Sequence, residues 1–177
     1  MDEPNINGFR ILGAELKRRL LAPVPHVTFW AYLLVGVIGF GGLAVWGELG
    51  IYIAGLIKGG ASVDHLKVSM VTFFPALVGS VAVQLVFEEA GRDKRMMAFA
   101  ITMGGIFCVL GLILTFDPDL ADWFAMLIAT LSCLASVFVW WIANGFNPAF
   151  TDKLNLDAPL GGPVSQAPSG SLTNFRT

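Results

Sequence analysis

The chain has 177 residues, of which 55% are hydrophobic and only 14% are charged, and its formal net charge is −2. Its mean hydropathy of +0.71 and its low charge content exclude an ordinary soluble domain, in which about a quarter of the residues are charged. No polar stretch exceeds about 35 residues, which is too short to bury a core, so we expect no separate catalytic or ligand-binding domain outside the membrane.

The N-terminal segment, residues 1–27, is polar and basic and carries no secretory signal, so we expect it to be retained. An amphipathic helix is predicted over residues 8–22 by apolar residues at helical spacing: Phe9, Leu12, Leu16 and Leu20. The basic residues of this helix lie largely on its other faces: Lys17, Arg18 and Arg19. Such a helix lies on the inner membrane surface and contacts anionic lipid. A helix that docks a soluble partner has the same pattern, and the sequence does not separate the two.

Four apolar stretches follow, and each reaches the roughly 20 residues that a helix needs to cross about 30 Å of hydrocarbon. They predict an all-α, polytopic membrane domain over residues 28–143, with four transmembrane helices at about 28–50, 68–88, 96–116 and 120–143. With the N-terminus inside, nine of the 11 basic residues lie in inner segments and only Lys58 and Lys67 in outer loops. The positive-inside rule then predicts that both termini are cytoplasmic.

The first span contains Trp30, Trp46 and a single carboxylate, Glu48. The two tryptophans are sixteen positions apart, or roughly 24 Å on a helix, which matches the spacing of the two interfacial aromatic belts. This register places Glu48 just beyond the hydrocarbon, as a candidate residue at the outer mouth of a pore. In a competing register the span runs from Val37 to Ile57 and buries Glu48 about halfway across, where a carboxylate is by default a functional candidate. We favour the interfacial register because of the tryptophan spacing.

The second span carries Pro75 in its first half. A proline inside a helix removes one backbone hydrogen bond and bends the axis. We interpret Pro75 as a static kink, because prolines are common in membrane helices, and keep a gating hinge as the alternative.

Small residues recur at helix-packing intervals in all four spans, which predicts close helix contacts in lipid. The positions that carry this prediction are Gly36, Gly39, Gly42, Gly47, Ala76, Ser80, Gly104, Ala125 and Ala129. The glycine density of the first span exceeds what one bundle needs, and indicates contacts with a second chain.

Residues for catalysis or metal binding are scarce. The two histidines, His26 and His65, fall on opposite sides of the membrane, and no hydrolase, phosphate-loop or zinc motif occurs. The two cysteines, Cys108 and Cys133, lack the spacing and further ligands of a metal site. We therefore predict no enzyme, no cofactor and no bound metal.

The last segment, residues 144–177, is rich in proline, glycine and serine and cannot build a core. It is predicted to be a flexible cytoplasmic tail or an extended strap that becomes ordered on a partner.

These features predict a non-enzymatic membrane protein that acts in an assembly. The assembly is a homo-oligomer, or a heteromeric complex in which the chain docks a cytoplasmic protein and senses a change in the membrane. The alternative is an oligomeric ion channel, pore or membrane-perturbing effector of a bacterial stress or phage-defence system. The lipid bilayer is a partner in both cases, and no nucleic acid partner is expected. The small size of the chain favours the bacterial inner membrane.

Overall fold

The computed structural model of the protein describes residues 8–60, 62–88, 94–116 and 120–152. Helices account for 87% of these residues, and no strand occurs among them. The helices are α1 (Gly8–Leu21), α2 (Val27–Gly41), α3 (Leu43–Lys58), α4 (Asp64–Glu88), α5 (Lys94–Phe116) and α6 (Asp122–Asn144), and a 3-10 turn follows over Pro148–Phe150.

Three helices, α4, α5 and α6, are long and apolar enough to cross a membrane. Helices α2 and α3 pass the same test only together, as two halves bent by 58° at Gly42. The described part of the chain therefore has three helices able to cross a membrane, and a fourth crossing if the bent pair forms one span. The predicted all-helical membrane fold is confirmed at this level.

The core lies where α4 packs between α5 and α6. Helix α4 contributes its large apolar residues, among them the fully buried Phe74, Val78 and Leu85. Helix α6 faces α4 with small residues at helical spacing, all of which are buried: Ala125, Ala129, Ser132 and Ser136. Because small side chains let two helices approach closely in lipid, this face fixes the position of α6.

Pro75 and Gly111 form a second close contact, between α4 and α5. A Cβ atom at Gly111 would lie 3.1 Å from Cγ of Pro75, so the proline ring occupies the space that the glycine leaves. Helix α4 continues through Pro75 to its end. The ring therefore takes part in a packing contact between α4 and α5, and the static kink stays a prediction.

Helix α1 forms close to the predicted bounds, but its apolar stripe packs on the protein. Leu12 and Leu16 contact the hydrophobic core, and the indole N–H of Trp141 donates to the carbonyl of Leu20 at 3.0 Å. The described chain therefore covers part of this stripe, while Phe9 stays exposed. The predicted contact with the lipid head groups stays a prediction. The last turn of α6 has carbonyl groups without helical partners, and the guanidinium of Arg19 on α1 donates to one of them, the carbonyl of Ala143.

The chain after α6 folds back toward the start of α2. The Asn147 side chain accepts a hydrogen bond from the amide of Ala149 at 3.0 Å, and the ring of Phe150 packs against Phe29 and Trp140. The carboxylate of Asp152 then accepts hydrogen bonds from the backbone amides of Val27 and Thr28. We call residues 145–152 the strap. The remaining residues of the predicted tail, 153–177, and residues 1–7 of the N-terminal segment lie outside the described residues.

Candidate functional site

The first span changes its helix type and then breaks. Helix α2 is α-helical over Val27–Ala31 and π-helical over Tyr32–Gly41, and π-helical stretches are rare and are found frequently at functional sites. Gly42 then adopts a non-helical conformation, and α3 leaves at 58°. The first span, predicted at about 28–50, is thus two helices with a break at Gly42, and α3 continues to Lys58 without interruption at Glu48.

Contacts of Gly42 and Trp46 stabilise the bend between α2 and α3. The indole N–H of Trp46 donates to the carbonyl of Ile38 at 2.7 Å, which satisfies a backbone acceptor near the bend. A Cβ atom at Gly42 would lie 2.5 Å from that same carbonyl oxygen and 3.0 Å from the indole nitrogen. Only glycine leaves room for both groups at this position.

The break removes the physical basis of the interfacial register. The interfacial register assumes that Trp30 and Trp46 lie on one straight helix, whereas the helix axis bends between them. The indole of Trp46 also donates to Ile38 and needs no head-group acceptor. Gly41 lies against Phe73, nine residues into α4, or about 14 Å along its axis. The break thus lies opposite the middle of α4.

A cavity of about 540 Å³ opens beside the break, between α3, α4 and α6. Its walls are almost entirely apolar, with Trp46, Tyr52, Met70 and Cys133 among the lining residues. The hydroxyl of Thr130, also on the wall, donates to the carbonyl of Met126 at 2.8 Å. A cavity of this size with satisfied polar groups suits an apolar occupant.

A second depression, of about 390 Å³, lies between α3 and α4. We call it the α3–α4 groove. Small residues line it: Gly41 at the end of α2, Ala44 on α3, and Ser69, Thr72 and Ala76 on α4. Ala76 and the following Ser80 are exposed. The described part of the chain therefore leaves these two predicted packing residues uncovered.

The glycines predicted to pack between helices are partly buried or buried at some positions and exposed at another. Gly36 and Gly39 are partly buried within α2, Gly42 is buried at the break, and Gly104 lies against Ala82 of α4. Gly47 is exposed, and a Cβ atom there would meet nothing within 4 Å. Helix α3 as a whole has no buried residue.

Glu48 lies on α3, one turn after Ala44 of the α3–α4 groove. Its side chain is partly buried, and within the described ranges no hydrogen bond or ion pair reaches it. Leu49 and Tyr52, next to Glu48 along α3, share the apolar cavity with Leu66 and Met70. A carboxylate in such surroundings requires water, a cation or a donor from another chain.

The basic residues of α1 separate into two groups. Arg18 is exposed at 68% of its side-chain surface, and Lys17 is also exposed. Arg19 is buried and donates to the carbonyl of Ala143 at 3.4 Å and to Glu15 at 2.9 Å. The predicted role of Arg19 in surface docking is therefore wrong, because the C-terminal end of α6 attracts the guanidinium.

The cysteines and the acidic residues form no constellation for chemistry in the part of the chain that the structure describes. Cys108 is exposed, Cys133 is half-buried, and both are free thiols. No three histidine, cysteine, aspartate or glutamate side chains converge there as metal ligands.

Comparisons of the chain with protein families, with curated proteins and with solved structures find no match. Residues and geometry alone therefore carry the function proposed below.

Proposed function

We propose that the protein is a non-enzymatic membrane protein that works in an assembly of identical chains, joined through α3 and the α3–α4 groove. The carrying observation is that α3 has no buried residue and carries Glu48 without a partner among the described residues. Small residues on both walls of the groove let a further helix approach closely. Packing and interhelical hydrogen bonds, rather than the hydrophobic effect, hold such contacts in lipid.

In this proposal α2 and α3 form one broken span, so that the chain crosses the membrane four times with both termini in the cytoplasm. The distribution of basic residues supports this orientation. Helix α1 packs on the C-terminal end of α6, and the start of α5 lies beside α1. The basic side chains at this end are Arg10, Lys17, Arg18, Arg19, Lys94 and Arg95, whereas the described part of the other end carries Lys58 and Lys67. Lys17 and Arg18 remain available at the cytoplasmic surface to anionic lipid or a docked protein.

Native mass spectrometry of the protein, extracted gently from its host and released from the micelle, tests the assembly. We expect one species made of identical chains. Ala76→Leu fills the α3–α4 groove and should raise the dissociation constant at least tenfold, or about 1.4 kcal/mol. Ala135→Leu is the matched control, since Ala135 is exposed on α6 away from the groove, and it should leave the assembly intact.

Two results would contradict the proposal. A monomeric wild-type protein excludes the assembly, and equal behaviour of the two leucine variants excludes the groove as its contact. A species that contains a second protein in place of a second copy instead favours the membrane subunit of a heteromeric complex.

Glu48 favours a pore as the second candidate function. A carboxylate on a broken span, with no partner among the described residues, can attract cations if several copies surround a conduit. We expect ion flux through vesicles that contain the protein, and Glu48→Gln should reduce the cation preference of this flux severalfold. Asp122→Asn, an exposed carboxylate on α6, serves as the control. The pore hypothesis fails if flux is absent or if Glu48→Gln leaves it unchanged.

A further inference from the structure

The cavity of about 540 Å³ between α3, α4 and α6 is elongated along the helices. We call it the α3–α6 cavity. Its wall on α3 runs from Gly42 to Tyr52, and its wall on α6 runs from Met126 to Val137. Such stretches of helix are about 15–17 Å long. The cavity is therefore long for its volume, with its axis parallel to the helices.

The polar groups on the wall are bonded to the protein except at one end. The Thr130 hydroxyl, the Cys133 thiol and the Trp46 indole each donate to a backbone carbonyl. The Tyr52 hydroxyl has no hydrogen-bond partner among the described residues. None of the described residues on the wall is charged. The cavity therefore favours an uncharged hydrocarbon with one hydrogen-bond acceptor at the Tyr52 end.

The Tyr52 end of the cavity lies toward the end of the bundle where α4 and α6 begin. Leu66 and Met126 line the cavity there, and they are the third residue of α4 and the fifth residue of α6. Gly42 and Phe73 lie at the other end, opposite the middle of α4. In a bilayer crossed by α4 and α6, the cavity therefore runs from near the head groups into the hydrocarbon.

The mouth of the cavity opens sideways, between α3 and α6. Trp46 and Leu134 both line it, and they are 50% and 64% exposed. Water does not fill apolar cavities, and a void loses the dispersion contacts of its lining. A helix of a second copy, about 10–12 Å across with its side chains, is wider than a cavity of this volume and length. The occupant that fits is a hydrocarbon chain from the bilayer.

We propose that the α3–α6 cavity binds one acyl chain of a membrane phospholipid. The ester carbonyl of the lipid accepts a hydrogen bond from the Tyr52 hydroxyl, and the methylene chain packs against Leu49 and Met70 toward Phe73. The order of groups in the lipid, an ester followed by methylenes, matches the order along the cavity. Because α3 has no buried residue, the acyl chain supplies packing for the second half of the bent span. The site lies within one chain and goes beyond the proposed assembly.

Photo-crosslinking of the full chain in phosphatidylcholine vesicles tests the site. A fraction of the lipid carries a diazirine in one acyl chain, and the cross-linked residues are mapped by mass spectrometry. Leu49 and Met70 are partly buried on the wall, whereas Leu131 is exposed on α6 outside the cavity. We expect stronger labelling of Leu49 and Met70 than of Leu131, because a bound chain stays beside them.

Leu134→Trp places a large ring in the mouth of the cavity. It should lower the labelling of Leu49 and Met70 at least about fivefold, or roughly 1 kcal/mol. Leu131→Trp is the matched control on the same helix and should leave this labelling unchanged. Labelling of Leu49 and Met70 no stronger than that of Leu131, or equal labelling in the two tryptophan variants, would overturn the site.

A second measurement addresses the Tyr52 hydroxyl and decides the question if Leu134→Trp does not fold. Ester-linked and ether-linked phosphatidylcholine with the same chains are added separately to the protein in detergent, and retained lipid is counted by native mass spectrometry. The ester lipid should be retained roughly two- to tenfold more strongly, as one hydrogen bond contributes, and Tyr52→Phe should abolish the difference. Equal retention by the wild type, or a difference that persists in Tyr52→Phe, would contradict the proposal. None of these results depends on the number of chains in the assembly.

Discussion

At the scale of single residues, Gly145 has the tightest steric requirement among the described glycines. It follows α6 directly, and the backbone of Arg19 crosses it so closely that a Cβ atom would lie 2.1 Å from the Arg19 carbonyl oxygen. The φ angle of Gly145 is −59°, which any residue adopts, so the requirement for glycine is steric. This contact fixes α1 on the end of α6.

Gly145→Ala should therefore separate α1 from the bundle. We expect the free energy of unfolding to fall by roughly 2 kcal/mol or more, since overpacking against backbone has no cheap relief. For a chain of this length that loss lowers the thermal midpoint by about 4–8 °C. The measurement is thermal unfolding in detergent micelles.

Gly13→Ala is the control for this prediction. Gly13 lies inside α1, and a Cβ atom there meets nothing within 4 Å, so alanine should be neutral or stabilise the helix by up to about 1 kcal/mol. Equal midpoints of the two variants would show that the Gly145 contact carries no stability.

At the scale of helices, the broken span was foreseeable in part. The glycine pair Gly41 and Gly42 stands inside the apolar run, and glycine weakens a helix interior. What the sequence does not show is that the indole of Trp46 reaches back to Ile38. This bond selects Gly42 as the place of the bend, six residues before the carboxylate of Glu48.

The strap belongs to the same scale, because Asp152 caps α2 across 124 residues of sequence. The hydrogen bond from the Thr28 hydroxyl is the largest effect on the pKa of Asp152 and lowers it; desolvation, the next largest, raises it. The Thr28 and Val27 amides and the charge of His26 lower it further, so the pKa lies below its ordinary value of 3.8. The ionised form is thus the one that the folded chain stabilises. Its contribution is complete above the unfolded-state pKa and is lost as the pH falls through the folded-state pKa.

Wild-type protein should accordingly lose stability below about pH 4 by a component that Asp152→Asn lacks. Thermal midpoints measured from pH 6 to pH 2.5 in both proteins isolate this component as their difference. Thr28→Val removes the strongest hydrogen bond and should move the loss to higher pH. The capping role of Asp152 is wrong if wild type and Asp152→Asn keep a constant difference across the range.

At the scale of the whole molecule, the sequence predicts helices better than it predicts their partners. Four apolar runs of sufficient length indicate helices, and α4, α5 and α6 lie within a few residues of the predicted positions. Bilayer thickness and backbone hydrogen bonding leave little alternative for such runs. The membrane nature of the chain is therefore the most predictable property.

The partners of each side chain depend on which helix ends meet, and local patterns do not contain that information. The sequence pattern predicts that Arg19 is a surface residue, and only the structure shows that α6 ends beside it. In the sequence, Gly111 looks like the other small residues of α5. Only its contact with the ring of Pro75 distinguishes it. In the same way, Ala125 and Ala129 are buried, whereas Ala76 and Ser80 are exposed, although all four follow one spacing rule.

The docking of α1 on α6 also sets an order of events during translation. Helix α1 precedes the other described helices in the chain, yet the carbonyl that Arg19 contacts belongs to a residue 124 positions later. Until α6 has been made, the guanidinium has no Ala143 carbonyl to contact. Docking of α1 onto residues 141–145 therefore reports that the chain has been made as far as the end of α6.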